Sequence, residues 1–385
     1  MELIDINKSK YMFEPDIESG SILYGMKGLN GVGGEVIQDI IDNRPYGSIE
    51  EFMNKLHPNK KVMISLIKSG AFDNLYNGDR VRIMEDYIWS VCEPKKRITL
   101  QNFNGLMERD LIPAELDFEK RLFVFNKALR KYCKVNDYYM IMNNFYDFYA
   151  EFFDVDLLEE FNEGLAIPAA TWQKLYTKGM DGARDYFKEH QDELLNILNH
   201  TLFQEMWDKY AEGDLATWEM DSLGFYYHDH PLKNIKKDLY GIRSYANLPE
   251  NPEIERTFKR NGVDIPLFKT CRIIGTVVAK EDNKSCISLL TPESGVVTVK
   301  MSREYYARIN RQISEVQVDG HKKVMEKGWT SRGNLLMVNG FKRSGMFFTK
   351  TYRHTKSHQV YHIDKINDDG TMEVTHCRWG EELEG

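Results

Sequence analysis

The chain has 385 residues, 42% hydrophobic and 29% charged, which supports a substantial core and argues against wholesale disorder. That length predicts two or three domains. The net charge of −8 hides an asymmetry: residues 256–365 hold 21 Lys/Arg against 9 Asp/Glu, and the remainder holds 30 against 50. A basic stretch joined to an acidic remainder fits a polyanion-binding part attached to a part with other contacts. No apolar run approaches the ~18 residues of a membrane span, and Met1-Glu2-Leu3-Ile4-Asp5 lacks the basic and apolar regions of a leader. The reading is a soluble cytoplasmic chain with no membrane partner. Cys92, Cys133, Cys271, Cys286 and Cys377 are scattered without C-x-x-C spacing, which points to reduced thiols rather than a disulfide frame or zinc site.

Residues 1–90 read as short helices joined by glycine turns. Gly31-Val32-Gly33 stands between Leu29 and the apolar set Val36, Ile37, Ile40, Ile41, whose spacing predicts a helix opening at the turn. Glycine accepts positive φ, and a helix opening there presents unpaired N–H groups and its positive dipole end to a phosphate. This is the helix-hairpin-helix pattern, which grips DNA backbone; the plain alternative is a glycine turn between packed helices. Ser48 is placed to cap a helix over 49–56. Val62, Met63, Leu66 and Ile67 lead into Ser69-Gly70-Ala71-Phe72, a second, degenerate hairpin. Candidate DNA contacts in the two hairpins are Lys27, Gly31, Gly33, Gly34, Lys60, Lys61, Lys68, Ser69 and Gly70.

Residues 91–230 read as a helical domain. Phe118, Leu122, Phe125, Leu129 and Tyr132 follow helical spacing, as do Leu194, Leu195, Leu198, Leu202 and Met206, and such stripes are ordinarily core. Gly164–Pro168 and Gly179–Gly182 are predicted turns between helices. Residues 231–265, with Pro249 and Pro252 and with Pro266 just beyond, read as a connector.

From Cys271 the period changes. Residues 272–278, 286–290 and 296–300 are β-rich, a short helix over 302–309 follows, and further strands are predicted at 335–341 and 347–352. Three strands, a helix and two strands is the element order of the OB-fold, a small barrel that binds oligonucleotides. The domain is placed at 266–366, followed by an acidic tail over 367–385. The fold class expected is thus α+β and multidomain, a mainly helical N-terminal part followed by an OB-fold barrel.

Three segments carry a family resemblance. Ile6-Asn7-Lys8-Ser9 followed by Tyr24-Gly25-Met26-Lys27-Gly28-Leu29-Asn30-Gly31-Val32-Gly33 resembles the helix-hairpin-helix region of the bacterial DNA polymerase III alpha subunit. Leu66-Ile67-Lys68-Ser69-Gly70-Ala71-Phe72-Asp73 is similar to the segment that follows it in that family. Residues 219–232, with Leu223-Gly224-Phe225-Tyr226 and His230-Pro231-Leu232, resemble the family's stretch ahead of its OB domain. Residues 90–215 match only loosely. The resemblance implies a C-terminal portion of such a replicative polymerase, expected as a split phage version. It also implies DNA, duplex and single-stranded, as a partner, and a separately encoded catalytic half. The polymerase carboxylates lie upstream in the family and have no counterpart here. No catalysis is therefore expected of this chain alone, and magnesium is expected only with the catalytic partner. The resemblance also brings a sliding clamp as partner through a short Gln-containing apolar motif, which Gln204-Glu205-Met206-Trp207 and Gln101-Asn102-Phe103 approximate poorly.

His228-Asp229-His230 reads as packing or capping rather than metal binding, and the spacing of His354, His358 and His362 reads as accidental in β-rich sequence. In the barrel, Lys280 and Lys284 fall in the first-to-second strand turn, and Lys342 and Arg343 in the fourth-to-fifth. Those loops flank the ligand face of an OB-fold. Trp329 and Phe347, with Phe341, Phe348 and Tyr352 nearby, are the candidate rings for base stacking, each also eligible for the core. Two other readings remain at this point: an autonomous single-strand-binding or adaptor protein, and a nuclease using the histidine-rich strands.

Overall fold

The computed structural model describes residues 2–17, 20–161, 164–316, 322–352 and 357–378. Two compact units emerge: Met1–Met84 together with Gly213–Gly385, and Glu85–Glu212.

The first unit opens with three helices, α1 (Gly34–Asp42), α2 (Ile49–Leu56) and α3 (Lys60–Lys68). Ser48 caps α2 by accepting from Glu51 N at 3.1 Å, and Asn59 caps α3 by accepting from Val62 N at 3.0 Å. The apolar face of each helix turns inward, burying Ile37, Ile40, Phe52, Leu66 and Ile67 with Ile4, Ile6, Met26 and Phe72. Helix α4 (Arg80–Val91) leads out of this unit. The chain returns in α5 (Leu215–Ser222), capped by Asp214, which packs against α3.

The barrel has five strands: β1 (Cys271–Glu281), β2 (Cys286–Thr291), β3 (Gly295–Lys300), β4 (Leu335–Arg343) and β5 (Met346–Thr349). Antiparallel pairs join β1 to β2 and β4, β2 to β3, and β4 to β5. A parallel pairing of β3 with β5, Val299 opposite Phe347, closes the ring. Helix α6 (Arg303–Asn310) lies between β3 and β4, and its Tyr306 and Ile309 join the barrel core. This is the OB-fold order that the sequence predicts, with strand limits shifted by a few residues. Closure brings backbones close: a Cβ on Gly340 would stand 2.0 Å from Phe348 O, so β4 needs a glycine there.

Other predicted limits are corrected. Residues 231–265 are not a bare connector. They contain strand Ile254–Arg260, paired with Val263–Phe268 through Asn261-Gly262, both at positive φ. Leu232, Ile235 and Ile242 are buried in a second cluster beside the barrel. The predicted tail is not all tail: Met372–Thr375 pairs with Val360–Ile366, which itself pairs with β4, and residues 379–385 lie outside the described residues. A further hairpin, Ile313–Val316 with Lys322–Glu326, lies between α6 and β4.

The unit Glu85–Glu212 packs helices Asp117–Tyr132, Ala169–Gly179 and Gln191–Tyr210 around Leu122, Phe125, Leu129, Trp172, Leu194 and Leu198. The buried Trp172 indole donates to Asn126 Oδ1 at 3.0 Å, so neither polar group is orphaned. The predicted turn Gly164–Pro168 is instead a strand of a small sheet, between Tyr138–Met140 and Glu159–Phe161. Gly179–Gly182 does mark a helix junction. This unit holds 24 Asp/Glu against 15 Lys/Arg, which leaves the other at 35 against 36. The acidic surplus of the chain therefore belongs to the inserted helical unit.

Candidate nucleic-acid interface

The first hairpin is held from behind. Asn30 N donates to Ser222 O at 2.9 Å, Asn30 Nδ2 donates to Asp221 O at 2.7 Å, and Ser65 Oγ donates to Asn30 O at 2.5 Å. The chain then turns at Gly31, φ +85°, where Val32 tucks inward and Gly31, Gly33 and Gly34 lie on the surface. Gly33 is the N-cap of α1 with extended backbone and no side-chain cap. The N–H groups of Gly34, Glu35 and Val36 therefore face outward without an intrahelical acceptor. Exposed Lys27, Lys60 and Lys61 stand on neighbouring elements, and the Lys61 side chain passes 3.1 Å from where a Gly31 Cβ would be. Open N–H groups, the positive end of a helix dipole and cations make a fitting cradle for a phosphate oxygen.

The second hairpin is built differently. Gly70 has φ +82° and is buried, and the space beside it is filled by Arg80, whose side chain is 2% exposed. That guanidinium bonds Asp73 at 2.6 Å and Lys68 O at 3.2 Å, and lies 3.6 Å from the fully buried Glu219. Ser69 is buried and donates to Leu66 O at 2.8 Å, and Lys68 pairs with Asp221 at 2.8 Å. The expectation that Lys68, Ser69 and Gly70 meet DNA is corrected accordingly. An internal cation already occupies the turn, and it ties the hairpin to α5.

Glu219 also explains His228. Its carboxylate accepts from Tyr227 N at 2.9 Å and His228 N at 3.1 Å, and lies 2.6 Å from His228 Nδ1. His230 Nδ1 accepts from Leu232 N at 3.1 Å, which leaves the proton on Nε2, 3.0 Å from Leu290 O. Burial lowers the His230 pKa, partly offset by the bond to Leu290 O. His230 thus packs and caps the Leu232 N–H, whereas His228 is exposed and held by Glu219. His362 pairs with Asp364, and the His358 ring stacks on His376 at 4.0 Å, while His354 lies outside the described residues. No cluster of three metal-ligating side chains forms among the described residues.

On the barrel, Trp329 and Phe347 are 3% and 0% exposed and belong to its core, so neither offers a ring face to a base. Three other rings lie half-buried on the outside: Phe341 is 5.0 Å from Phe268 and 6.1 Å from Phe348, nearly parallel to the latter at 17°. Phe268 went unrecognised because its strand sits in the proline-containing stretch. The loop cations are partnered within the chain. Lys280 donates to Asn310 Oδ1 at 2.7 Å, Lys284 pairs with Glu281 at 2.7 Å, and Lys342 pairs with Glu250 at 2.6 Å. Arg343 is exposed at the β4–β5 turn.

Residues 1–82 match the family model of the helix-hairpin-helix motif. Over 97% of its length the chain is 36% identical to a probable DNA polymerase, YorL, of Bacillus subtilis strain 168, and to the same extent to a DNA-directed DNA polymerase of Bacillus phage SPbeta. Over 82% of its length it is 31% identical to DNA polymerase III subunit alpha of Borreliella burgdorferi. The chain is homologous to one segment of DNA polymerases of the III alpha type. It spans 29% of the first two relatives and 20% of the third. The turn at Gly31–Gly33 and the exposed Lys27, Lys60 and Lys61 lie within the matched residues 1–82. Neither approximate clamp motif presents an anchor of the expected kind: Phe103 is fully buried, and Gln204–Trp207 is part of the helix Gln191–Tyr210. Among the described residues no helix is long and apolar enough to cross a membrane.

Proposed function

We propose that this chain is the DNA-holding part of a polymerase III alpha-type replicative polymerase. The first helix-hairpin-helix turn grips duplex backbone, the barrel engages single-stranded template, and phosphoryl transfer takes place on carboxylates and magnesium held outside these residues. The observation that carries this reading is the uncapped N-terminus of α1 behind two exposed glycines, flanked by Lys27 and Lys61, in a chain related to DNA polymerases over almost its whole length. A catalytic partner and a sliding clamp belong to the same proposal as the contacts that such a part would make.

Gly33→Val tests it cleanly. Gly33 has φ −78° and nothing within 4 Å of its would-be Cβ, so valine fits the fold while projecting into the space a phosphate would use. Losing one charge-assisted contact of about 1.5–3 kcal/mol should weaken duplex affinity by roughly ten- to a hundredfold. Fluorescence anisotropy with a labelled duplex reads the loss, and thermal melting checks that the fold is intact. Unchanged affinity in a folded Gly33→Val protein would overturn the role given to this turn. Primer extension by the purified chain alone would overturn the non-catalytic assignment.

A further inference from the structure

A cavity of about 600 Å³ opens beside the barrel, between residues 237–253 and the neighbouring ends of β1 and β4. Its size falls in the range of small-ligand pockets. Leu248 and Pro252 contribute apolar wall, and Phe341 closes one side. Phe341 is also the middle ring of the Phe268–Phe341–Phe348 row, so the cavity continues an aromatic surface already suited to stacking. Among its lining residues, Arg243, Asn247 and Lys269 are exposed, as are the carboxylates Asp238 and Glu253. Lys269 pairs loosely with Glu253 at 3.4 Å, whereas the side chains of Arg243 and Asn247 make no hydrogen bond or ion pair among the described residues.

We propose that this cavity receives one nucleobase of single-stranded DNA, turned out of the strand that crosses the barrel. The inference rests on the reading that the barrel engages single strands, and it adds a base-binding pocket away from the loops carrying Lys280 and Lys284. A base needs an aromatic face and a group that both donates and accepts along its edge. Phe341 supplies the face and the Asn247 amide the paired donor and acceptor. The phosphates on either side of the base need exposed cations rather than buried ones, and Arg243 and Lys269 are exposed. An uncharged apolar ligand would leave these cations without purpose.

The test uses the full chain and two single-stranded oligonucleotides of about 16 nucleotides, one ordinary and one abasic at its central positions on the same phosphate backbone. Asn247→Trp fills the cavity from an exposed position, with melting as the check on folding. The ordinary strand should bind the parent about tenfold tighter than the abasic one, and Asn247→Trp should erase that difference. Equal, salt-sensitive binding of both strands by the parent overturns the pocket and leaves single-strand binding standing. A preference that survives in Asn247→Trp also overturns the pocket and assigns the preference to the exposed rings. Binding of neither strand overturns the single-strand reading itself, and the pocket with it.

Discussion

Gly70 and Gly33 lie at the two hairpin turns, and replacing each by alanine should have very unequal consequences. At Gly70, φ +82° costs an L-residue about 1–2 kcal/mol. The new Cβ would also stand 2.3 Å from Arg80 Nη2 and 2.9 Å from Arg80 Cζ. A guanidinium is normally an easy group to push aside, but this one is held by Asp73, by Lys68 O and by the charge of buried Glu219. Displacing it leaves Glu219 without its cation, and breaking a buried pair costs about 3–5 kcal/mol. Together these give about 4–7 kcal/mol, or at least roughly 8 °C in melting temperature for a unit of this size. Gly33→Ala meets nothing within 4 Å and should cost no more than about 1 kcal/mol, the scale of a changed N-cap. Because the chain has two units, a single melting curve is ambiguous. Hydrogen exchange read by mass spectrometry on peptides around α3 and α5 locates the loss. A Gly70→Ala protein that melts within about 1 kcal/mol of the parent, or that loses protection only within Glu85–Glu212, would refute the account of the second hairpin.

Stability should depend on His230 below neutral pH. Its folded pKa lies below the ordinary ~6.5, so between the two values the unfolded chain binds a proton that the folded one refuses. The contribution is complete above pH ~6.5 and declines as pH falls towards the folded value. Denaturant melts at pH 7.5 and 5.5 should show the decline, and His230→Gln should flatten it; an equally steep decline in the variant would assign it elsewhere. The barrel cations give a second expectation. Glu250→Gln and Glu281→Gln together release Lys342 and Lys284 from their carboxylates; the Lys284 pair is exposed and costs little to lose, whereas Lys342 is only 10% exposed and stays held over the Tyr245 ring. Single-strand binding should strengthen at low salt, and its log–log salt slope should steepen by about 0.7 for each cation that reaches phosphate. A slope identical to the parent's would show that these lysines do not meet the strand.

The barrel was legible because its strands are short β-rich runs bounded by turn residues, alternating in Val296–Lys300 after Pro292–Gly295 and largely apolar through the centres of β1 and β4. The α1 turn was legible for the same kind of reason: only glycine serves at Gly31, and the apolar spacing restarts at once behind it. What escaped has physical causes. Ile254–Arg260 and Val263–Phe268 form a ribbon largely exposed on both faces, so no buried side enforces an alternation that sequence could reveal. The strands Lys134–Val135 and Glu159–Phe161 are too short to carry a period. Aromatic identity does not tell which side of a barrel wall a ring occupies, so sequence alone offers Trp329 and Phe347 as stacking rings although both are core. The Arg80 plug was invisible because its partners, Asp73 and Glu219, are far apart along the chain and meet only through α5 packing on α3.

That packing also governs how the protein is made and cut. The unit bearing the helix-hairpin-helix motif is interrupted, and its second part arrives only after Glu85–Glu212 has been synthesised. Until Leu215–Ser222 emerges, Asn30 lacks its acceptors at Asp221 and Ser222, and Arg80 lacks Glu219. The turn at Gly31–Gly33 thus waits for a later segment before it is braced, while the helical insertion has its own core to form in the interval. A fragment ended at residue 82, where the family match stops, would keep every glycine of the motif and lose the strut behind it.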